Sequence, residues 1–137
     1  MLRYPLRRYL WIVTAAALAL GASQTSAHHS IAATYLEDRM ITIEGELAQL
    51  IFRHPHSLLH LIVRERDGRE VRYAVEWDSA DQLEEQGLTK DTLRIGDHVV
   101  ITGSPARNAK DHRLRMTTLR RPKDSFSYDP RMRSDYH

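Results

Sequence analysis

Two stretches with an apolar residue at every second position face each other across Asp67-Gly68. Upstream, Leu59, Leu61 and Val63 recur at every second position, and downstream Val71, Tyr73, Val75 and Trp77 do the same. A period of two is the signature of a strand with one buried face. Asp-Gly favours a type I′ hairpin because both central residues of that turn need positive φ. A chain with this pattern must build a sheet that is apolar on one side, and the remaining elements must cover that side.

The flanking sequence supplies them. Ile41, Ile43 and Leu47 share one alternation, so 40–53 reads as a long first strand, with Gly45 marking a bulge or bend. RHPHS, Arg53 to Ser57, reads as a turn around Pro55. Asp78 or Ser79 can cap a short helix that runs through Glu85 and stops at Gly87. Asp97–Gly103 reads as a fourth strand, and His112–Leu119 as a fifth with Leu114 and Met116 inward. Three strands, a helix and two strands is the order of an OB-like fold, a five-stranded Greek-key barrel. The predicted class is therefore all-β with one short helix. A β-sandwich is the alternative, but five strands are few for one. Residues 28–39 read as a polar arm, 40–120 as the barrel, and 121–137, rich in charge and proline without periodicity, as a disordered tail.

The 137 residues suit a single domain with a modest core. The sequence has no cysteine, so packing and β-ladders must hold the domain together, and thiolate chemistry is excluded. The net charge of +2 divides unevenly: Arg3, Arg7 and Arg8 precede any acid, and residues 28–119 hold 12 basic against 15 acidic groups. Nucleic-acid binders carry a basic footprint on their folded part, so no nucleic-acid partner is expected.

Residues 1–27 read as a signal peptide. MLRYPLRR is the basic region, the apolar run from Leu10 to Ala22 has 13 residues, and Thr25-Ser26-Ala27 offers small residues for a cut after Ala27. A membrane span needs roughly 20 apolar residues, so no stable span is expected after cleavage. A cut after Ala22 is the rival site. Arg7-Arg8 faintly resembles a twin-arginine signal. The expected location is periplasmic or secreted.

Eight histidines are present, and four of them pair up: His28-His29 follows the expected cut, and His54 and His56 flank Pro55. As a first residue, His28 can chelate a metal through its amine and imidazole. Nitrogen ligands in a tetragonal set favour Cu(II), which also heads the divalent affinity order. This ligand logic resembles the histidine brace of exported copper proteins, which use a different β-sandwich fold. A cut one residue earlier makes Ala27-His28-His29 the terminus, also a copper-binding pattern. Pro55 restricts His54 to extended backbone, and the two rings of the hairpin could face one side. His56 is the first candidate for a third nitrogen, with His54 second. Glu76 could orient a ligating imidazole from behind. The bland alternatives are a polar spacer, a solvated turn and an ordinary surface carboxylate. His60, His98 and His112 read as structural or solvated, and Met116 as core. No nucleophilic or phosphate-binding motif is present.

The chain resembles a family of short exported bacterial proteins of unknown function. The resemblance rests on His28-His29-Ser30, Pro55-His56, the AVE of Ala74 to Glu76, Leu83 to Gly87, and IGDHVVITGSPAR from Ile95 to Arg107. It spans about residues 27–120, with His54 where the family commonly has asparagine and Ile31 where it has an aromatic. It implies an exported β-barrel domain and brings no established activity.

The sequence therefore leads to an exported binding protein that takes a metal ion, Cu(II) first, through His28, His29, His54 and His56, with Glu76 behind them. No catalytic residue is singled out, and a periplasmic protein is a further candidate partner. The first rival is a metal-free OB-type adaptor for an oligosaccharide or a protein. The second is a copper-dependent oxidase on the same ligands.

Overall fold

A computed structural model describes residues 31–133, and the barrel unit begins at Tyr35. The signal-peptide reading, His28, His29 and His137 lie outside the described residues. Six strands follow in order: β1 Ile41–Ile51, β2 Leu58–Arg64, β3 Glu70–Glu76, β4 His98–Pro105, β5 Arg113–Arg121 and β6 Phe126–Tyr128. One helix, α1 Ala80–Glu85, lies between β3 and β4.

The sheet order is β3-β2-β1-β4-β5-β6, and a parallel pairing of β3 with β5 closes the first five strands into a barrel. The five-stranded barrel with a helix between its third and fourth strands is the predicted OB-like architecture. β1 is long because it serves two neighbours: Gly45–Ile51 pairs with β2, and Ile41–Glu46 pairs with β4. Closure runs through Ala74↔Arg113, Val75↔Leu114 and Glu76↔Arg115.

The bulge in β1 falls between Leu47 and Gln49, not at Gly45. The extra residue resets the alternation, so Leu47 is buried and Leu50 still packs against the core. Gly45 serves close strand approach instead, because a Cβ there would run into the carbonyl oxygen of Ile62 on β2. A second irregularity, opposite Thr102 and Gly103, shifts the register of β5 between Thr118 and Met116. Leu114 is therefore fully buried, whereas Met116 is only partly buried against the core.

The core joins Leu47, Leu59, Leu61, Val75, Val99, Ile101, Leu114 and Leu119 from the barrel with Leu83 from α1. The helix starts as the sequence implies, with Ser79 as N-cap and Gln82 completing a capping box.

Both ends of the domain depart from expectation. The arm does not stay outside the barrel: Tyr35 is 1% exposed and bridges Ala106, because a large aromatic side chain gains more by burial than the surrounding polar residues lose. Most of the stretch expected to be a disordered tail is also ordered. Pro122 starts a 3-10 turn, Ser125 reverses the chain in the left-handed region, and β6 pairs with the end of β5. Tyr128 drives this, with its ring edge-on to Trp77 at 5.2 Å and its hydroxyl donating to Asp78 at 2.6 Å. Residues 134–137 lie outside the described residues. Among the described residues no helix is long and apolar enough to cross a membrane.

Candidate functional site

The site is built around Glu76, the last residue of β3. The inward alternation of Val75 and Trp77 turns Glu76 to the opposite face, yet its side chain is only 12% exposed. Four side chains cover it. Tyr35 donates its hydroxyl to Oε2 at 2.6 Å, and Arg115, its direct partner across the closure, donates to Oε1 at 3.3 Å. Arg113, two residues earlier on the same face of β5, stands 3.8 Å from Oε2. The fourth is His56, whose Nε2 lies 3.5 Å from Oε1.

Local backbone structure puts His56 there. Ser57 is fully buried and is clamped between the residues after Glu76: its N–H donates to the Asp78 carbonyl, and its carbonyl accepts from Trp77 N–H. The preceding residue must then stand beside the end of β3. The Nδ1 of His56 is buried and has no hydrogen-bond partner among the described residues. One nitrogen of the imidazole therefore faces a carboxylate and the other is unused.

Glu76 in turn acts on Tyr35. Burial, then the hydrogen bond to Glu76, then its negative charge push the phenol up to about 12, because each disfavours the phenolate. Two guanidinium groups beside one carboxylate leave the cluster with an excess of positive charge, which is open to water on the Arg113 side.

His54 goes elsewhere. Its Nδ1 is 3.3 Å from Asp81 on α1, with both side chains 63% exposed. The His54–Pro55 peptide is cis, and the two histidines lie against different carboxylates. The other described histidines are separate again. Nε2 of His98 meets Glu44 at 2.6 Å, and His112 packs edge-on against Tyr73 at 5.3 Å. His60 is half-buried. Burial first, and then the charge of Arg72, lower its pKa from the ordinary histidine value.

Among the described residues, no group of three or more histidine, cysteine, aspartate or glutamate side chains is gathered closely enough to hold a metal ion. The His56–Glu76 pair can thus supply one oriented imidazole, and any complete metal site needs further ligands. Sequence reasoning found His56 and Glu76 but missed Tyr35, Arg113 and Arg115. Arg113 and Arg115 alternate with inward Leu114, a visible sign of an outward polar pair. Their meeting with Glu76 depends on the parallel β3–β5 closure, which no local pattern announces.

A family model described as a family of unknown function, DUF6152, matches residues 16–115. No curated protein matches the chain. Among solved structures, the chain is similar to a mitochondrial single-stranded DNA binding protein from S. cerevisiae, at 14% identity and a TM-score of 0.45, over 59% of this chain and 90% of that one.

Proposed function

This chain belongs to DUF6152, a family of unknown function, and from its own residues we propose that it is an exported binding protein for a metal ion, copper first. His56 is the barrel's ligand and Glu76 the carboxylate that orients it. His28, through amine and imidazole, and His29 supply the remaining nitrogens, with His54 auxiliary.

The observation that carries this reading is the state of His56. Metal-ligating imidazoles characteristically give their second ring nitrogen to a carboxylate, which fixes the tautomer and raises ligand basicity. The Nε2 of His56 stands 3.5 Å from Glu76 and its Nδ1 is buried without a partner among the described residues, so a turn of the ring that brings one nitrogen out to a metal leaves the carboxylate in place for the other. Tyr35, seven residues after His28 in sequence, hydrogen-bonds the same carboxylate. An all-nitrogen set favours Cu(II) over the harder divalent ions. Export is supported by the leader's composition, a basic start followed by a short apolar run and small residues.

The test is a Cu(II) titration of protein processed by its own export route. Submicromolar binding is expected, weakened at least roughly tenfold by His28→Ala or His56→Ala, and roughly 10–100-fold by Glu76→Gln, the usual cost of losing a carboxylate behind a ligating histidine. Protein made without the leader, with methionine ahead of His28, lacks the chelating amine and should bind more weakly. Micromolar or weaker binding that neither histidine substitution changes would defeat the proposal.

A further inference from the structure

A second site lies beyond Arg113, on the side away from Glu76. The β4–β5 loop, the start of β1 and the face of β3 enclose a pocket of about 180 Å³. Drug-sized ligands occupy pockets of roughly 300–1,000 Å³, so this one has room for a single small molecule.

The lining combines two chemistries. Ile41 and Tyr73 give it an apolar floor, whereas Arg39, Arg107 and Arg113 stand around it, and no acidic residue lines it. This runs against the charge of the surrounding domain, in which acids outnumber bases. Three cations gathered on a small apolar cavity form a local positive field that solvent screens less well than an open surface. Arg39 has no ion-pair partner among the described residues. Arg113 stands 3.8 Å from Glu76 and 5.9 Å over the Tyr35 ring, while Arg115 is nearer to Glu76 at 3.3 Å, so Glu76 keeps a cation if Arg113 turns toward a ligand.

The walls are fixed before any ligand arrives. His112 takes a left-handed backbone conformation, φ 45°, with its ring edge-on to Tyr73. Its carbonyl accepts from Ala74 N–H at 2.9 Å, and Ala106 N–H donates to the Arg113 carbonyl at 3.0 Å, so both ends of the loop are tied to the closed barrel. Asn108 caps the 3-10 turn between them by accepting from Lys110 N–H. A preorganised pocket binds without the ordering cost that a mobile loop would add.

We propose that this pocket binds a small organic monoanion, a carboxylate on a short apolar or aromatic body. The body lies on Ile41 and Tyr73, and the carboxylate accepts charge-assisted hydrogen bonds from the arginines. His56 does not line this pocket, and Arg113 is the residue it shares with the Glu76 cluster.

Benzoate titrated into isotope-labelled protein and followed by amide NMR tests this, with benzyl alcohol and inorganic phosphate as controls. Benzoate should shift the signals of residues 106–113 and Tyr73 saturably. Arg39→Gln and Arg107→Gln should each weaken it about tenfold, the effect of one lost charge-assisted hydrogen bond. Ala109→Phe should block the pocket while leaving signals elsewhere in place. The proposal is overturned by non-saturating shifts, by benzyl alcohol or phosphate binding as tightly as benzoate, or by wild-type affinity in both arginine variants.

Discussion

Glu76 and Asp97 are both withdrawn from water, with opposite consequences for the groups involved. Glu76 raises the pKa of its neighbour Tyr35, so Glu76→Gln should let the phenol fall from about 12 part of the way back toward its ordinary value. Burial is the larger cause and remains, so the return is incomplete. A phenolate absorbance titration reads this directly, and an unmoved transition would show that the Tyr35–Glu76 bond is not formed in solution. Asp97 is 4% exposed, and Arg121 donates to it at 2.7 Å while Lys123 pairs with its other oxygen. Burial pushes its carboxyl up, but hydrogen bonds from Lys123, the Arg94 backbone and Arg121, with the charge of Arg121, outweigh that and bring it down to about 2. A depressed carboxylate stabilises the fold above its unfolded pKa. The contribution should therefore be complete above about pH 5 and decline as pH falls toward 2. Asp97→Asn should cost roughly 2–4 kcal/mol in urea denaturation at neutral pH and flatten the acid limb of the stability profile.

At the level of elements, the barrel depends on two places where strands come unusually close. A Cβ on Gly45 would meet the Ile62 carbonyl oxygen, and one on Gly103 would meet the Arg115 carbonyl oxygen. Backbone within a ladder cannot move aside as a side chain can. Gly45→Ala and Gly103→Ala should each cost roughly 2–3 kcal/mol in thermal or urea unfolding. Gly68→Ala, in open space at φ +85°, should cost only about 1 kcal/mol for its left-handed backbone. Equal losses at all three would contradict the crowding argument. The five barrel strands and α1 were legible because each carries a local signal: alternation in β1 to β5, and a capping serine with a terminal glycine around α1. β6 was not. Three residues among prolines and charges have no period to read, and their order comes from one tertiary event, the seating of Tyr128 against Trp77. Tyr35 was hidden in the same way, as one aromatic in a polar arm whose partners, Glu76 and Ala106, lie far along the chain. Of the candidate site, the histidine pattern pointed to His56 and the strand face to Glu76. The separation of His54 from His56 followed from contacts with α1 that the turn sequence does not reveal.

The unit that begins at Tyr35 is a barrel held without a disulfide and stitched where β3 meets β5, and its candidate chemistry collects along that seam. Glu76, Arg113 and Arg115 all belong to the closing register, His56 abuts one side of it, and the arginine-lined pocket lies on the other. A ligand bound at a closed seam favours the folded chain over the unfolded one. Copper should accordingly raise the unfolding temperature of exported protein, as any ligand that favours the native state does. The most direct test of the copper assignment is the EPR spectrum of Cu(II)-loaded protein recovered after export. Coupling to several nitrogens, one fewer in His56→Ala than in the unsubstituted protein, is the predicted result. A spectrum that His56→Ala leaves unchanged would contradict it.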